Sequence, residues 1–316
     1  MKKLILPLLL SLSLVSCAKV TEYEDLFYAF GQAPIQIKTY EGSDENIKEL
    51  RSILNTFSKE TDNYLEGDLP GVYQINNTSE NIAISENLYD CLKQSYELSN
   101  NLDSYFSILL GSFSKTWKTA LANNTIPSSE TISLEMEKFH NTSLTFNENN
   151  QVQKTGSSEI DLGAVAKGYA LDLSKKYFES KAISQYIVNA GSSSILLGQK
   201  NTENGLFTIK IKDLNNTFLK AKNTCISTSS ISEQSTTING VTYTHIISPE
   251  TGEARVINDT VVVLSDTGIL GDVLSTSMML MSVPEINSIE QEFNVKSVVI
   301  RDHKVVYSHK DIKLEH

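Results

Sequence analysis

Cysteine is scarce: three in 316 residues, too few for a disulfide framework. The fold must therefore rest on an apolar core, for which 40% hydrophobic residues is ample. Basic charge is short as well. Lys and Arg number 27 against 38 Asp and Glu, a formal net charge of −11. A nucleic-acid binder ordinarily shows a basic face, so that partner class is set aside. A chain this acidic that handles phosphate must concentrate positive charge locally, through helix ends, a few lysines or a metal ion. After the first twenty residues there is no apolar run of the roughly 20 residues a transmembrane helix needs. No internal repeat is visible, and strands and helices do not alternate strictly. That combination predicts an α+β or mixed α/β fold.

What is present begins with "MKKLILPLLLSLSLVSCAKV". Two lysines, an apolar stretch from Leu4 to Val15 and small residues ahead of a cysteine read as a signal peptide over residues 1–16. Leu14-Val15-Ser16-Cys17 resembles a bacterial lipobox, in which the cysteine becomes the lipidated first residue of the mature protein. The expectation is a lipid-anchored protein on the periplasmic or other extracytoplasmic side of a bacterial cell membrane. Residues 17–30 would form the lipidated N-terminus and tether, and 31–313 one domain. In that compartment Cys91 and Cys225 could pair or remain buried free thiols.

Within the domain, "PIQIKTY" alternates like a strand. Ile47, Leu50, Ile53, Leu54 and Phe57 recur at helical spacing behind a Ser43/Asp44 cap. A second helical region runs from Glu86 to Trp117. Residues 123–158 read as polar and broken. Short β-rich pieces run from Gln185 onward, then helices at "GDVLSTSMMLMSV" and "PEINSIEQEF". The hairpin "KSVVIRDHKVVYSH" turns near Arg301–Lys304.

Four segments carry chemistry. In "EIDLGAVAKGYALDLSKKY", Val165, Tyr169, Leu173 and Tyr177 form one apolar helix face, with Gly163 and Gly168 at its first turn. Glycine lets backbone approach a ligand, and a helix start offers N–H groups to anions. Lys167 precedes the second glycine and Tyr169 follows it, so this is no Walker A loop. A tight strand–helix turn with Asp161 as cap fits the same residues. In "GDVLSTS", Asp272, Ser275 and Thr276 share a helix face at i, i+3 and i+4. They offer hard oxygens for Mg²⁺ or Ca²⁺, or simply a capping cluster. His245 in "YTHIISPETG" is a candidate general base or a structural strand histidine. "VNAGSSS" could let backbone approach a flat ligand, or form a hairpin turn.

In their order and separations, "DLGAVAKGYALD", "VNAGSSS", "HIISPETG" and "GDVLSTSMMLM" resemble the ApbE family of FAD:protein FMN transferases. The resemblance implies an α/β, T-fold-like domain that binds FAD and Mg²⁺. It would transfer FMN to a threonine hydroxyl of an acceptor protein and release AMP. Metal ligands would fall on the Ala164 carbonyl, Asp272, Ser275 and Thr276. Tyr64, Asn101, Leu102, Asp103, Asp161, Lys167 and Ile246 would contact FAD, and His245 would accept the threonine proton, or else orient a loop. Ser248 stands where the family usually has Asp, and Ser227–Ser230 depart from its Thr-Ser-Gly. These changes leave open an FAD pyrophosphatase, with water in place of threonine, or a non-catalytic flavin-binding lipoprotein.

Overall fold

The computed structural model describes residues 21–64, 66–232 and 234–316. The expected signal peptide and Cys17 lie outside the described residues. The chain opens with a hairpin of β1 (Tyr23–Ala29) and β2 (Ala33–Thr39), registered from Tyr23 opposite Thr39 to Ala29 opposite Ala33. Tyr23–Ala29, expected within the tether, is instead a strand of the domain, because Phe27 and Ala29 turn into the main core. Next comes α1 (Asp44–Glu60). The Ser43 hydroxyl accepts from the Asn46 N–H, as its cap position predicts, and Ile47, Leu50, Leu54 and Phe57 are buried.

Then follow α2 (Val72–Asn76), β3 (Ile82–Ala83), α3 (Glu86–Asn101), α4 (Gly111–Ala122), α5 (Ser129–His140), β4 (Ser143–Asn147) and β5 (Gln151–Thr155). The single helical region expected over Glu86–Trp117 is two helices. The stretch expected to be broken holds a helix and two strands. α5 starts behind a Ser128 cap and leaves most of its surface in solvent, packing Ile132, Met136 and Phe139 beside Phe113 and Trp117. An exposed helix needs little apolar sequence, so its periodicity is faint.

The remainder comprises α6 (Ala166–Ser180), β6 (Tyr186–Ala190), β7 (Ser194–Leu197), β8 (Phe207–Lys210), β9 (Phe218–Ala221), β10 (Thr224–Ser230), β11 (Ser235–Ile238), β12 (Val241–Thr244), β13 (Thr260–Ser265), α7 (Gly268–Met278), α8 (Val283–Phe293), β14 (Lys296–Arg301), β15 (Lys304–Ser308) and β16 (Leu314–Glu315). The C-terminal hairpin turns at Asp302 and His303, where φ is +49° and +57°. Pro284 near the start of α8 and the Ser282/Glu285 capping box open that helix as its sequence suggests.

Among the described residues, the main sheet runs β1-β2-β6-β7-β10-β13-β14-β15. Every neighbouring pair is antiparallel. One face carries Ile35, Ile37, Val188, Leu196, Val261 and Val263 against α1, α6 and α7. The opposite face carries Leu197, Ile226, Val262 and Val298 against Phe207, Leu219 and Ala221 of the small β16-β9-β8 sheet. Burial on both faces explains why β13 reads Thr-Val-Val-Val-Leu-Ser rather than alternating. Cys91 and Cys225 are both buried free thiols, and desolvation pushes both upward from the ordinary thiol range. Among the described residues no helix is long and apolar enough to cross a membrane.

α6 and α7 lie against each other with almost no space between their backbones. A Cβ on Gly168 would come 2.3 Å from the Gly268 carbonyl oxygen, and one on Gly268 would come 2.2 Å from the Gly168 oxygen. Gly168→Ala and Gly268→Ala are each expected to destabilise the protein by about 1–3 kcal/mol through overpacking. Urea denaturation checks this: unchanged midpoints would mean that the helices are not in backbone contact.

Candidate active site

The α6–α7 contact forms the floor of a cavity of about 660 Å³, within the range of small-molecule sites. Lys167 and Ala164 reach it from the mouth of α6, Asp272, Ser275 and Thr276 from α7, and Thr228–Ser230 from the end of β10. Tyr64 and Asp161 line it from two loops, and His245 and Ile246 from the segment after β12. Sequence positions from 64 to 276 thus converge on one concave surface.

The carboxylate of Asp272 is buried. Its Oδ2 accepts from the Gly168 N–H at 2.6 Å, and its Oδ1 from the hydroxyls of Ser194 at 2.8 Å and Ser227 at 2.6 Å. Gly168 lies in the first turn of α6, whose own N-cap residue, Val165, makes no side-chain cap bond. Asp272 is therefore the N-terminal cap of a neighbouring helix, not of its own as a bare capping reading suggests. Burial raises its carboxyl above the usual carboxylate range, opposed by the charge of Lys167 and by those three hydrogen bonds. The three donors occupy three of roughly four lone-pair directions, leaving one side of the carboxylate for a ligand.

Beside it stands a hydroxyl cluster. Ser229 Oγ lies 3.0 Å from Ser275 Oγ and 3.3 Å from Thr276 Oγ1. Carboxylate, hydroxyls and the exposed Ala164 turn make an oxygen-only donor set, which fits a hard cation such as Mg²⁺. Among the described residues no group of three or more His, Cys, Asp or Glu could hold a metal ion. A cation here would have one charged protein ligand and would draw the remainder from neutral oxygens and from a bound phosphate.

The outer wall is strapped together by hydrogen bonds. Asn76 accepts from the Ile160 N–H at 2.7 Å and donates to its carbonyl at 2.9 Å, Ser158 Oγ donates to Leu109 O at 2.6 Å, and Asp161 N–H donates to Ile108 O at 2.8 Å. These bonds bring Asp161 to the cavity, where its carboxylate accepts from the Gly163 N–H at 2.8 Å. It shapes the turn into α6 without capping the helix. Tyr64 lies near this carboxylate with its ring beneath Lys115 and Lys118, at 5.4 and 5.3 Å from their ammonium groups. Asn101, Leu102 and Asp103 do not line the cavity. Leu102 ends α3 with its side chain buried in the core, and the next turn, Tyr105–Ser107, forms the wall instead.

His245 Nδ1 lies 3.3 Å from the Gln234 carbonyl. A carbonyl only accepts, so this bond forms with the proton on Nδ1, and in that neutral tautomer Nε2 is the basic nitrogen. Below it, Trp117 Nε1 donates to Gly252 O at 2.8 Å and its ring stacks on Tyr243, anchoring the Pro-Glu-Thr-Gly turn. Ser248 Oγ accepts from the Thr251 N–H at 3.3 Å within that turn, a local bond that an Asp could also make. Sequence reasoning missed Ser194, Ser227, Ser229 and Trp117 as site residues. Ser194 ends the "VNAGSSS" segment, and Ser227 and Ser229 lie in the stretch that departs from the family's Thr-Ser-Gly, but neither segment singles them out individually.

Asp172, the mirror of Asp272 on α6, is pushed up to about 6, chiefly by burial and also by the charge of Asp272, against the Ile269 and Gly268 N–H groups and Lys175. A carboxyl raised on folding contributes stability that is full below its unfolded value near 4 and lost as pH rises through 6. Relative to Asp172→Asn, the native chain is expected to be more stable at pH 4 than at pH 7, by up to ~3 kcal/mol. Urea unfolding of both proteins across that range measures it, and a pH-independent difference would contradict the assignment.

Comparison with known proteins follows the same lines. A model of the ApbE family matches residues 32–299. A Rhodobacter capsulatus FAD:protein FMN transferase is 21% identical over 90% of this chain and 56% of its own length, so the present chain spans little more than half of that relative. A Vibrio cholerae FAD:protein FMN transferase is 24% identical over 75% of this chain and 72% of its own. Among solved structures, an ApbE protein from Thermotoga maritima superimposes with a TM-score of 0.77 at 20% identity, covering 93% of this chain and 96% of the other. The flavin transferase ApbE of Vibrio cholerae does so at 0.74 and 20%, covering 92% and 97%. At these identities the structural likeness establishes the mixed α/β fold.

Proposed function

The chain belongs to the ApbE family, and from that premise we propose that it is a Mg²⁺-dependent FAD:protein FMN transferase acting on a threonine hydroxyl of an acceptor protein. The observation that carries the reading is the meeting of Lys167, the mouth of α6 and the buried Asp272 carboxylate in one cavity. A lysine and the positive end of a helix dipole attract a diphosphate. A carboxylate in the same place repels it unless a cation stands between them.

Asp272, Ser275, Thr276 and the Ala164 carbonyl would hold that Mg²⁺, which when bound offsets the charge on the diphosphate as its anhydride bond breaks. Lys167 and the α6 terminus orient the same diphosphate. Tyr64, Asp161 and Ile246 shape the walls that receive the rest of FAD. The threonine oxygen attacks the FMN-side phosphorus, the bridging P–O bond breaks and AMP leaves with that oxygen. His245 Nε2 takes the hydroxyl proton. Alignment of attacking and leaving oxygens by these contacts supplies most of the acceleration. The protein would work outside the cytoplasm, tethered by a lipid on Cys17.

Incubation with FAD, Mg²⁺ and a threonine-bearing acceptor domain, followed by mass spectrometry, tests the reading. The acceptor should gain FMN, with AMP released in equal amount. AMP and free FMN without acceptor would instead identify a pyrophosphatase, a reading favoured by Ser248 in the acceptor-side turn. Unchanged bound FAD would identify a carrier. Asp272→Ala is expected to lower turnover at least about 10³-fold, and retention of native rates would remove the cation from this site. His245→Ala should cut transfer about 10²–10⁴-fold while FAD binding, followed by flavin fluorescence, stays within twofold. Equal transfer rates would exclude the histidine as base.

A further inference from the structure

Asp172 takes no part in the chemistry just described, yet it occupies the counterpart of the position held by Asp272. The N-cap residue of α7, Thr267, makes no side-chain cap bond. The first N–H groups of that helix donate across the interface to α6: Gly268 to Asp172 Oδ1 at 2.6 Å and Ile269 to Asp172 Oδ2 at 2.9 Å. In the other direction, Gly168 of α6 donates to Asp272 at 2.6 Å. Each helix thus presents a glycine and, four residues later, an aspartate that caps its partner. The two glycines are the point of backbone contact. Neither helix start is closed by its own side chains, so each is placed by the other.

From this reciprocal capping we propose that Asp172 is a positioning residue for the active site. By holding the start of α7 it sets where Asp272, Ser275 and Thr276 stand relative to Lys167 and the mouth of α6, and so governs the affinity of the cation site. The proposal rests on the cation reading above. A helix can slide or rotate along a packed neighbour unless something fixes it axially. Two N–H bonds to one carboxylate, set against a glycine contact too close to admit a methyl group, do so here. An oxygen donor set with one charged member has little affinity to lose, so displacement of that carboxylate by a fraction of an ångström should register directly in metal binding.

Mn²⁺ serves as the probe, titrated into the full chain without FAD and followed by the electron paramagnetic resonance signal of the free ion. Four proteins are compared: native, Asp172→Asn, Asp172→Glu and Ser43→Ala, the last removing the cap of α1 (Asp44–Glu60) away from the cavity. Asp172→Asn keeps size but not charge, and Asp172→Glu keeps charge but displaces the carboxylate. Both are expected to bind Mn²⁺ at least fivefold more weakly than native, whereas Ser43→Ala, though less thermostable, stays within twofold. Native-like affinity in Asp172→Glu would show that charge alone matters and overturn the positioning role. Native-like affinity in both Asp172 variants would overturn it outright, as would an equal loss in Ser43→Ala, which would mark a general stability effect. If one Asp172 variant does not fold by circular dichroism, the other decides. Absence of Mn²⁺ binding by the native protein would sink the cation reading itself, and the proposal with it, a result distinct from every other.

Discussion

The crossing of α6 and α7 is the contact from which the rest of the site follows. Two backbones approach closely enough to exclude a β-carbon from either glycine, and two aspartates each satisfy helix-start N–H groups belonging to the other helix. A buried carboxylate is costly unless hydrogen-bonded, and helix starts leave orphan donors. The two requirements answer each other. Asp272 is consequently oriented and held within reach of a cavity although it is buried.

The sheet below serves that crossing. Because the strands are buried on both faces, α6 and α7 rest on a platform braced from behind by the small β16-β9-β8 sheet. The same strands supply Ser194 and Ser227, whose hydroxyls orient one oxygen of Asp272, and Ser229, which joins the hydroxyls of α7. The opposite wall is built differently. The Ser158 hydroxyl and the backbone N–H groups of Gly111 and Asp161 strap residues 158–161 to residues 108–111, Asn76 ties Ile160 to α2, and Asp161 is thereby carried to the cavity. One side of the site is rigid because it is packed, and the other because its backbone is hydrogen-bonded.

Much of this could be read from residues alone, where the signal was local. The Ser43 cap, the apolar face of α1, the turn at Asp302–His303 and the start of α8 depend on neighbours in sequence. The oxygen-bearing side chains of α7 follow an i, i+3, i+4 pattern. Errors arose where burial, not pattern, decides. β1 looked like a tether because only alternate residues enter the core. α5 looked broken because it is largely solvated. Asn101–Asp103 were placed at the site, but the helix that carries them ends by burying Leu102, which passes the lining role to Tyr105–Ser107.

By itself the sequence determined the acidic balance, the mixed α/β composition of elements, the family motifs and the oxygen-bearing side chains of Asp272, Ser275 and Thr276, because each is a property of residue type and short spacing. Only the tertiary structure decided what Asp272 does for the fold, that Cys91 and Cys225 stay apart as thiols, and that serines from β7 and β10 belong to the site. Those facts concern atoms brought together across long stretches of chain, and hydrogen-bond partners at such separation leave no periodic trace in the order of residues.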